Sequence, residues 1–135
     1  FKDNNVMFYF IPFHYNEDME LVNEFEKKLG KKCVYIKEKL TAKEIYKLIA
    51  KMDLLVGVRL HSLVFAASAG IPFIAVSYDP KIDYFMENLG MKILCNIEDI
   101  NHDTLYKEIN NKLKSIEKEK EKLKEKVNNC CCLER

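Results

Sequence analysis

Apolar residues fall along this chain in two kinds of run, short unbroken blocks and longer stretches in which they recur every third or fourth position, and the two kinds alternate. Unbroken blocks suit strands buried on both faces, and the wider spacing suits helices with one buried stripe. The first block, residues 6–11, is closed by Pro12 and followed by a loop over 13–18. Residues 17–29 then set Met19, Val22, Phe25 and Leu29 at helical spacing, with Gly30 as the stop. A second strand is predicted over 33–36.

Thr41 and Glu44 form a capping box, the hydroxyl and the carboxylate each meeting a free backbone donor at a helix start. Ile45, Leu48, Ile49 and Met52 give that helix its inner stripe, and Asp53 breaks it. Residues 54–58 read as a third strand, buried on both faces. Residues 60–69 are apolar nearly all round, which predicts a helix covered on most sides. Gly70 and Pro72 end it and lead to a fourth strand over 73–77. A helix over 83–89 closed by Gly90, a fifth strand over 92–95 and one long helix from 104 to about 127 complete the pattern. Strand and helix alternate throughout, so the fold class is α/β, a Rossmann-like parallel sheet flanked by helices with right-handed crossovers.

The last helix changes character along its length. Leu105, Ile109, Leu113, Ile116, Leu123 and Val127 keep a narrow stripe, while 115–126 is otherwise almost all Lys and Glu. Lys120 interrupts the seam, which favours a solvated helix end over a coiled coil.

The 135 residues suffice for one domain with a real core. We read 1–127 as one lobe and 128–135 as a tail, either disordered or an artificial extension. The chain opens on Phe1 rather than Met with a strand close behind, so it reads as part of something longer. Charged residues make up 32% of the chain and the net charge is +1, a balance of mixed sign that argues against a nucleic-acid or membrane surface. No apolar run approaches a membrane span and no signal peptide is visible, so the chain reads as cytoplasmic. Of the five cysteines, Cys33 and Cys95 lie in strand-like runs and read as small buried hydrophobes. Cys130, Cys131 and Cys132 have no partner at metal-site spacing. No metal and no cofactor is expected.

Candidate chemistry concentrates between residues 56 and 81, where charge appears only as strands give way to loops or helices. In an open parallel sheet that edge is where ligands bind. Arg59 and His61 follow a strand and open a helix, whose unpaired N–H groups and dipole favour an anion. Arg adds a planar fork suited to carboxylate or phosphate, and His can give or take a proton near neutral pH. A plainer reading of the pair is an Arg bound to a neighbouring carboxylate and a His capping the helix. Asp79 and Lys81 leave the next strand at the same edge, where Asp79 could orient His61 or Arg59 and Lys81 could meet a phosphate. Equally, Asp79 and Pro80 make an ordinary helix opener. His14 and Asp18, in the loop after the first strand, are further candidates, against readings as a packed loop residue and a first-turn dipole partner. His102 reads as surface. Dinucleotide and P-loop glycine signatures are both absent from the sequence, so a ligand here is met partly by side chains.

The stretch from Gly57 through Arg59, Leu60 and His61 to Pro72, followed by Ser77, Tyr78, Asp79, Pro80 and Lys81, closely resembles the polysaccharide pyruvyl transferase family, particularly its bacterial cell-wall members. Ile11 and Pro12 followed by Glu17 and Asp18, and Met52 to Gly57 leading into Arg59, are further matches. The likeness runs from about residue 6 to residue 90. It implies the C-terminal lobe of a two-lobed enzyme of GT-B type that transfers the pyruvyl group of phosphoenolpyruvate onto two hydroxyls of a sugar as a ketal. Arg59 and His61 fall on the family's Arg-Leu-His, associated with phosphoenolpyruvate binding and catalysis. The implied partners are phosphoenolpyruvate, a saccharide acceptor of a cell-wall polysaccharide precursor, lipid-linked in the case that holds the enzyme at the inner face of the membrane, and an N-terminal lobe. On this resemblance the isolated lobe is expected to be inactive. Two rivals remain on the same fold: a GT-B glycosyltransferase lobe that binds a nucleotide-sugar, and a non-catalytic binding lobe.

Overall fold

A computed structural model describes residues 5–130. The chain divides into two compact units, 1–41 and 42–135. Both are α/β with parallel strands flanked by helices, as the alternation predicts.

The first unit is a single strand–helix–strand turn. Strand β1 (Tyr9–Phe10) leads into helix α1 (Tyr15–Leu29), a 3₁₀ turn (Gly30–Lys32) and strand β2 (Val34–Tyr35). The strands pair in parallel, Tyr9 with Val34 and Phe10 with Tyr35. Phe10 stacks on Phe25 of α1 at 4.6 Å and on Tyr35 at 5.5 Å, while Val22 is buried on the same helix. Gly30 ends α1 at a φ of 63°, which only glycine adopts without strain. The Tyr35 hydroxyl donates to the Gly30 carbonyl at 2.8 Å. Burial first, then the Cys33 thiol and the Glu26 charge, hold this phenol above its usual pKa.

The second unit holds helix α2 (Ala42–Ile49), strand β3 (Leu55–Gly57), helix α3 (Leu60–Ala69), strand β4 (Phe73–Ser77), helix α4 (Pro80–Asn88), strand β5 (Cys95–Asn96), and helices α5 (His102–Lys114) and α6 (Ile116–Asn128). Its sheet runs β3-β4-β5, all parallel, with Gly57 opposite Ala75 and Ser77 opposite Asn96. All five residues of β4 are buried, as the middle strand of a sheet covered on both faces must be. Helix α3 packs against β3, β4, α2, α4 and α6, and its Leu63, Ala66 and Ala67 are sealed from solvent. Each large apolar side chain so buried stabilises the fold by about 1.5–3 kcal/mol. The helix closes with the Ile71 N–H on Ala66 O at 2.8 Å and the Gly70 N–H on Ala67 O at 3.2 Å. Gly70 takes the left-handed conformation this ending needs.

Several expectations need correction. The long final helix is two helices, broken at Ser115 (φ −126°, ψ 40°), whose hydroxyl donates to Asn111 O at 3.0 Å in place of a continued ladder. Strand β3 is not buried on both faces, because Val56 is 44% exposed. Helix α4 begins at Pro80, not Asp83, and β5 comes later and is shorter than its apolar run. Cys33 and Cys95 are free and only half-buried. Cys130 is buried beyond the end of α6, while Cys131, Cys132 and most of the expected tail lie outside the described residues.

Candidate functional site

Because β3 and β4 are parallel neighbours, both chains leave the sheet at one edge and both enter a helix there. Arg59 comes two residues after Gly57 on one chain and Ser77 two residues after its partner Ala75 on the other. Arg59 is the N-cap of α3 in extended conformation, and its side chain makes no capping bond. No acidic residue occupies the first turn of α3, so nothing on the helix offsets its positive N-terminal end. The Arg59 side chain instead reaches the next strand's exit. Its guanidinium lies over the Tyr78 ring, 5.9 Å from the centroid, with one Nη 3.3 Å from the Tyr78 hydroxyl. His61, in the first turn of α3, is exposed.

The start of α3 is fixed from below. The buried Ser62 hydroxyl donates to the Arg59 carbonyl at 2.6 Å. A methyl group built on Gly57 would meet Ser62 Oγ at 2.5 Å and Leu63 Cδ2 at 2.8 Å. Glycine at this turn therefore lets the helix start close against its strand, and the helix start carries Arg59 and His61.

The next helix is built differently. Asp79 caps α4, its Oδ1 accepting from the Lys81 backbone N–H at 2.9 Å, and Pro80 fills the first helical position, where a missing N–H costs nothing. The buried Ser77 hydroxyl donates to the Asp79 carbonyl at 3.1 Å. An anion at the start of α4 would face the Asp79 carboxylate, whereas at the start of α3 it would face a guanidinium. The two helix ends at this edge are thus electrostatically opposite, with the exposed Lys81 side chain in the first turn of α4.

His14 and Asp18 lie in the first unit, after β1. Asp18 Oδ2 accepts from the backbone N–H groups of Phe13 and His14, both at 3.0 Å, so this carboxylate organises the entry to α1. The exposed His14 ring stands 3.9 Å from Glu17. His102 is exposed beside Asp103 at the start of α5. Among the described residues, no three His, Cys, Asp or Glu side chains gather at metal-ligand spacing. Nor, among them, is any helix long and apolar enough to cross a membrane.

Sequence reasoning passed over Tyr78, Ser62 and Ser77. Tyr78 entered only as a member of the run from Ser77 to Lys81 and was given no role of its own, since its contact with Arg59 forms across two strands. The serines gave no signal, since a buried hydroxyl at a helix start is not distinguishable by spacing from a surface one.

Compared with known proteins, the chain is matched over residues 1–80 by the family model described as polysaccharide pyruvyl transferase. That stretch takes in β1 through β4 with Arg59, His61 and Asp79, and ends one residue before Lys81. No curated relative and no solved structure matches the chain.

Proposed function

Because the chain belongs to the polysaccharide pyruvyl transferase family, we propose that it serves transfer of a pyruvyl group from phosphoenolpyruvate to a sugar of a cell-wall polysaccharide precursor, forming a ketal. The observation that carries this reading is Arg59 at the N-cap of α3, an uncapped helix start with no acidic residue in its first turn and with His61 two residues on. Phosphoenolpyruvate presents a carboxylate and a phosphate. Arg59 suits one of them with a bidentate fork, the N–H groups of α3 add their partial charge, and Lys81 supplies a second cation. Asp79 contributes by holding the helix start that carries Lys81.

In the reaction a proton adds to the donor's methylene carbon, which becomes a methyl group and leaves the central carbon electrophilic. One sugar hydroxyl then bonds to that carbon. A second hydroxyl bonds as the carbon–oxygen bond to phosphate breaks, so that two hydroxyl protons are released, one proton is taken up by the methyl group, and inorganic phosphate leaves. His61 acts as general acid or base in these transfers. Acceptor contacts come from a second lobe on this reading, and a lipid-linked acceptor would bring the enzyme to the inner face of the membrane.

Calorimetric titration tests the proposal. Phosphoenolpyruvate is expected to bind the 135-residue chain and nucleotide diphosphosugars are not, and Arg59→Ala should weaken binding by about 10- to 100-fold, as loss of a charge-assisted pair does. In the two-lobed enzyme, His61→Ala should lower turnover by about 10²- to 10⁴-fold. Preferential binding of a sugar nucleotide would move the protein to the glycosyltransferases, and full turnover without His61 would remove that residue's role.

A further inference from the structure

Tyr78 belongs to neither of the candidate pairs, yet it makes the contacts to Arg59 described above. Both residues sit just past the ends of adjacent parallel strands, close enough for their side chains to meet. Tyr78 is half exposed, at 50%, so its ring and hydroxyl are accessible at the surface where Arg59 meets them. Its ring offers a face to the guanidinium and its hydroxyl offers an acceptor to one Nη.

We infer that Tyr78 is a positioning residue for Arg59, holding the guanidinium at the exit of β4 so that its fork is already oriented when an acidic donor arrives. This rests on the anion-binding reading of Arg59. A free arginine side chain has many rotamers and loses them on forming a two-pronged bond. Stacking on one face removes part of that freedom beforehand, and a carboxylate or phosphate approaches in the guanidinium plane rather than through the stacked face. The hydroxyl contact selects which edge of the fork turns inward. Tyr78 touches the arginine rather than the reacting carbon, so its effect falls on donor affinity and not on the proton transfers.

Two measurements on the full chain separate this inference from the reading beneath it. The first is the rate at which phenylglyoxal modifies Arg59, followed by peptide mass spectrometry with Arg135, the sequence's other arginine, as the reference. Tyr78→Leu should speed modification of Arg59 relative to Arg135, Tyr78→Trp should restore the slow rate, and Tyr78→Phe should fall between. The second is phosphoenolpyruvate affinity by calorimetry. Tyr78→Leu should weaken it about tenfold and Tyr78→Phe about threefold, the scale of one exposed stacking contact plus one hydrogen bond. Neither change should weaken binding further in an Arg59→Ala background. An unchanged Arg59 modification rate in Tyr78→Leu would overturn the inference, as would an equal loss of affinity with and without Arg59. If the wild-type chain fails to bind phosphoenolpyruvate while Tyr78→Leu still exposes Arg59, the donor assignment falls and the positioning role stands.

Discussion

Asp79 uses one carboxylate oxygen on the Lys81 N–H, and an asparagine carbonyl can accept that bond equally well. Asp79→Ala should therefore cost about 1 kcal/mol of stability, as loss of an N-cap does, and Asp79→Asn should recover nearly all of it. Urea denaturation reads both. Calorimetry on the same variants then reads the charge. If Asp79 serves by holding the α4 start, Asp79→Asn keeps phosphoenolpyruvate affinity or raises it slightly, since a negative charge near an anion is gone. A loss of affinity in Asp79→Asn would show instead that the carboxylate orients Arg59 or His61. The residue-level chemistry was partly legible in advance. Arg and His beside a helix start stand out because charge is otherwise missing from that apolar stretch, and Asp followed by Pro announces a cap. What the sequence concealed was pairing across strands: nothing along the chain marks Tyr78 as the neighbour of Arg59, because their adjacency arises from a register between segments some twenty residues apart.

Helices and strands differed in legibility for physical reasons. Helix α3 and strand β4 have the bounds their apolar runs predict, since Gly70 and Pro72 stop one and start the other. The outer strands are shorter than their runs because a strand is defined by its partner, and β1, β2 and β5 each find one for only two residues. The break at Ser115 was hidden by helix-forming Lys and Glu on both sides. It has a measurable consequence: Lys112 meets Glu119 at 3.2 Å and Glu108 at 3.6 Å, whereas seven residues of straight helix would part the first pair by about 10 Å. The approach of α3 to β3 at Gly57 is the element-level feature on which the candidate site depends. Gly57→Ala places a methyl group 2.5 Å from Ser62 Oγ and within 2.9 Å of Leu55 Cδ2, so these buried side chains must give way, the Ser62 bond to the Arg59 carbonyl among them. The expected cost is about 1–3 kcal/mol, typical of overpacking, together with weaker phosphoenolpyruvate binding as Arg59 is carried out of place. A denaturation midpoint unchanged from wild type would show that the contact is slack.

At the scale of the whole molecule, stability is unevenly distributed. Among the described residues, the buried apolar side chains gather between Ile45 and Cys130, on α2, β3, α3, β4 and α4 with Ile109 and Leu123 from the last two helices, whereas the unit over 1–41 contributes Val22. That first unit relies on half-buried aromatics, Phe10 with Phe25 and Tyr35, and on two strand residues on each side. Burial of apolar area is the main term that offsets the entropy of ordering a chain, so a unit with little of it opens at lower free energy than one built around a sealed strand. Native-state hydrogen exchange should show the amides of β4 and the second half of α3 as the slowest in the chain. Those of α1 and β2 should exchange about 10²-fold faster or more, through openings that leave the second unit closed. A substitution that weakens the first unit, Phe25→Ala for example, should speed exchange over 1–41 and leave β4 near its original rate. Uniform protection across both units, or equal acceleration in β4, would show one cooperative structure instead. The expected pattern has a functional consequence: Arg59, His61 and Tyr78 all stand on the more stable unit, so the anion site should persist through those openings and phosphoenolpyruvate affinity should survive Phe25→Ala nearly intact.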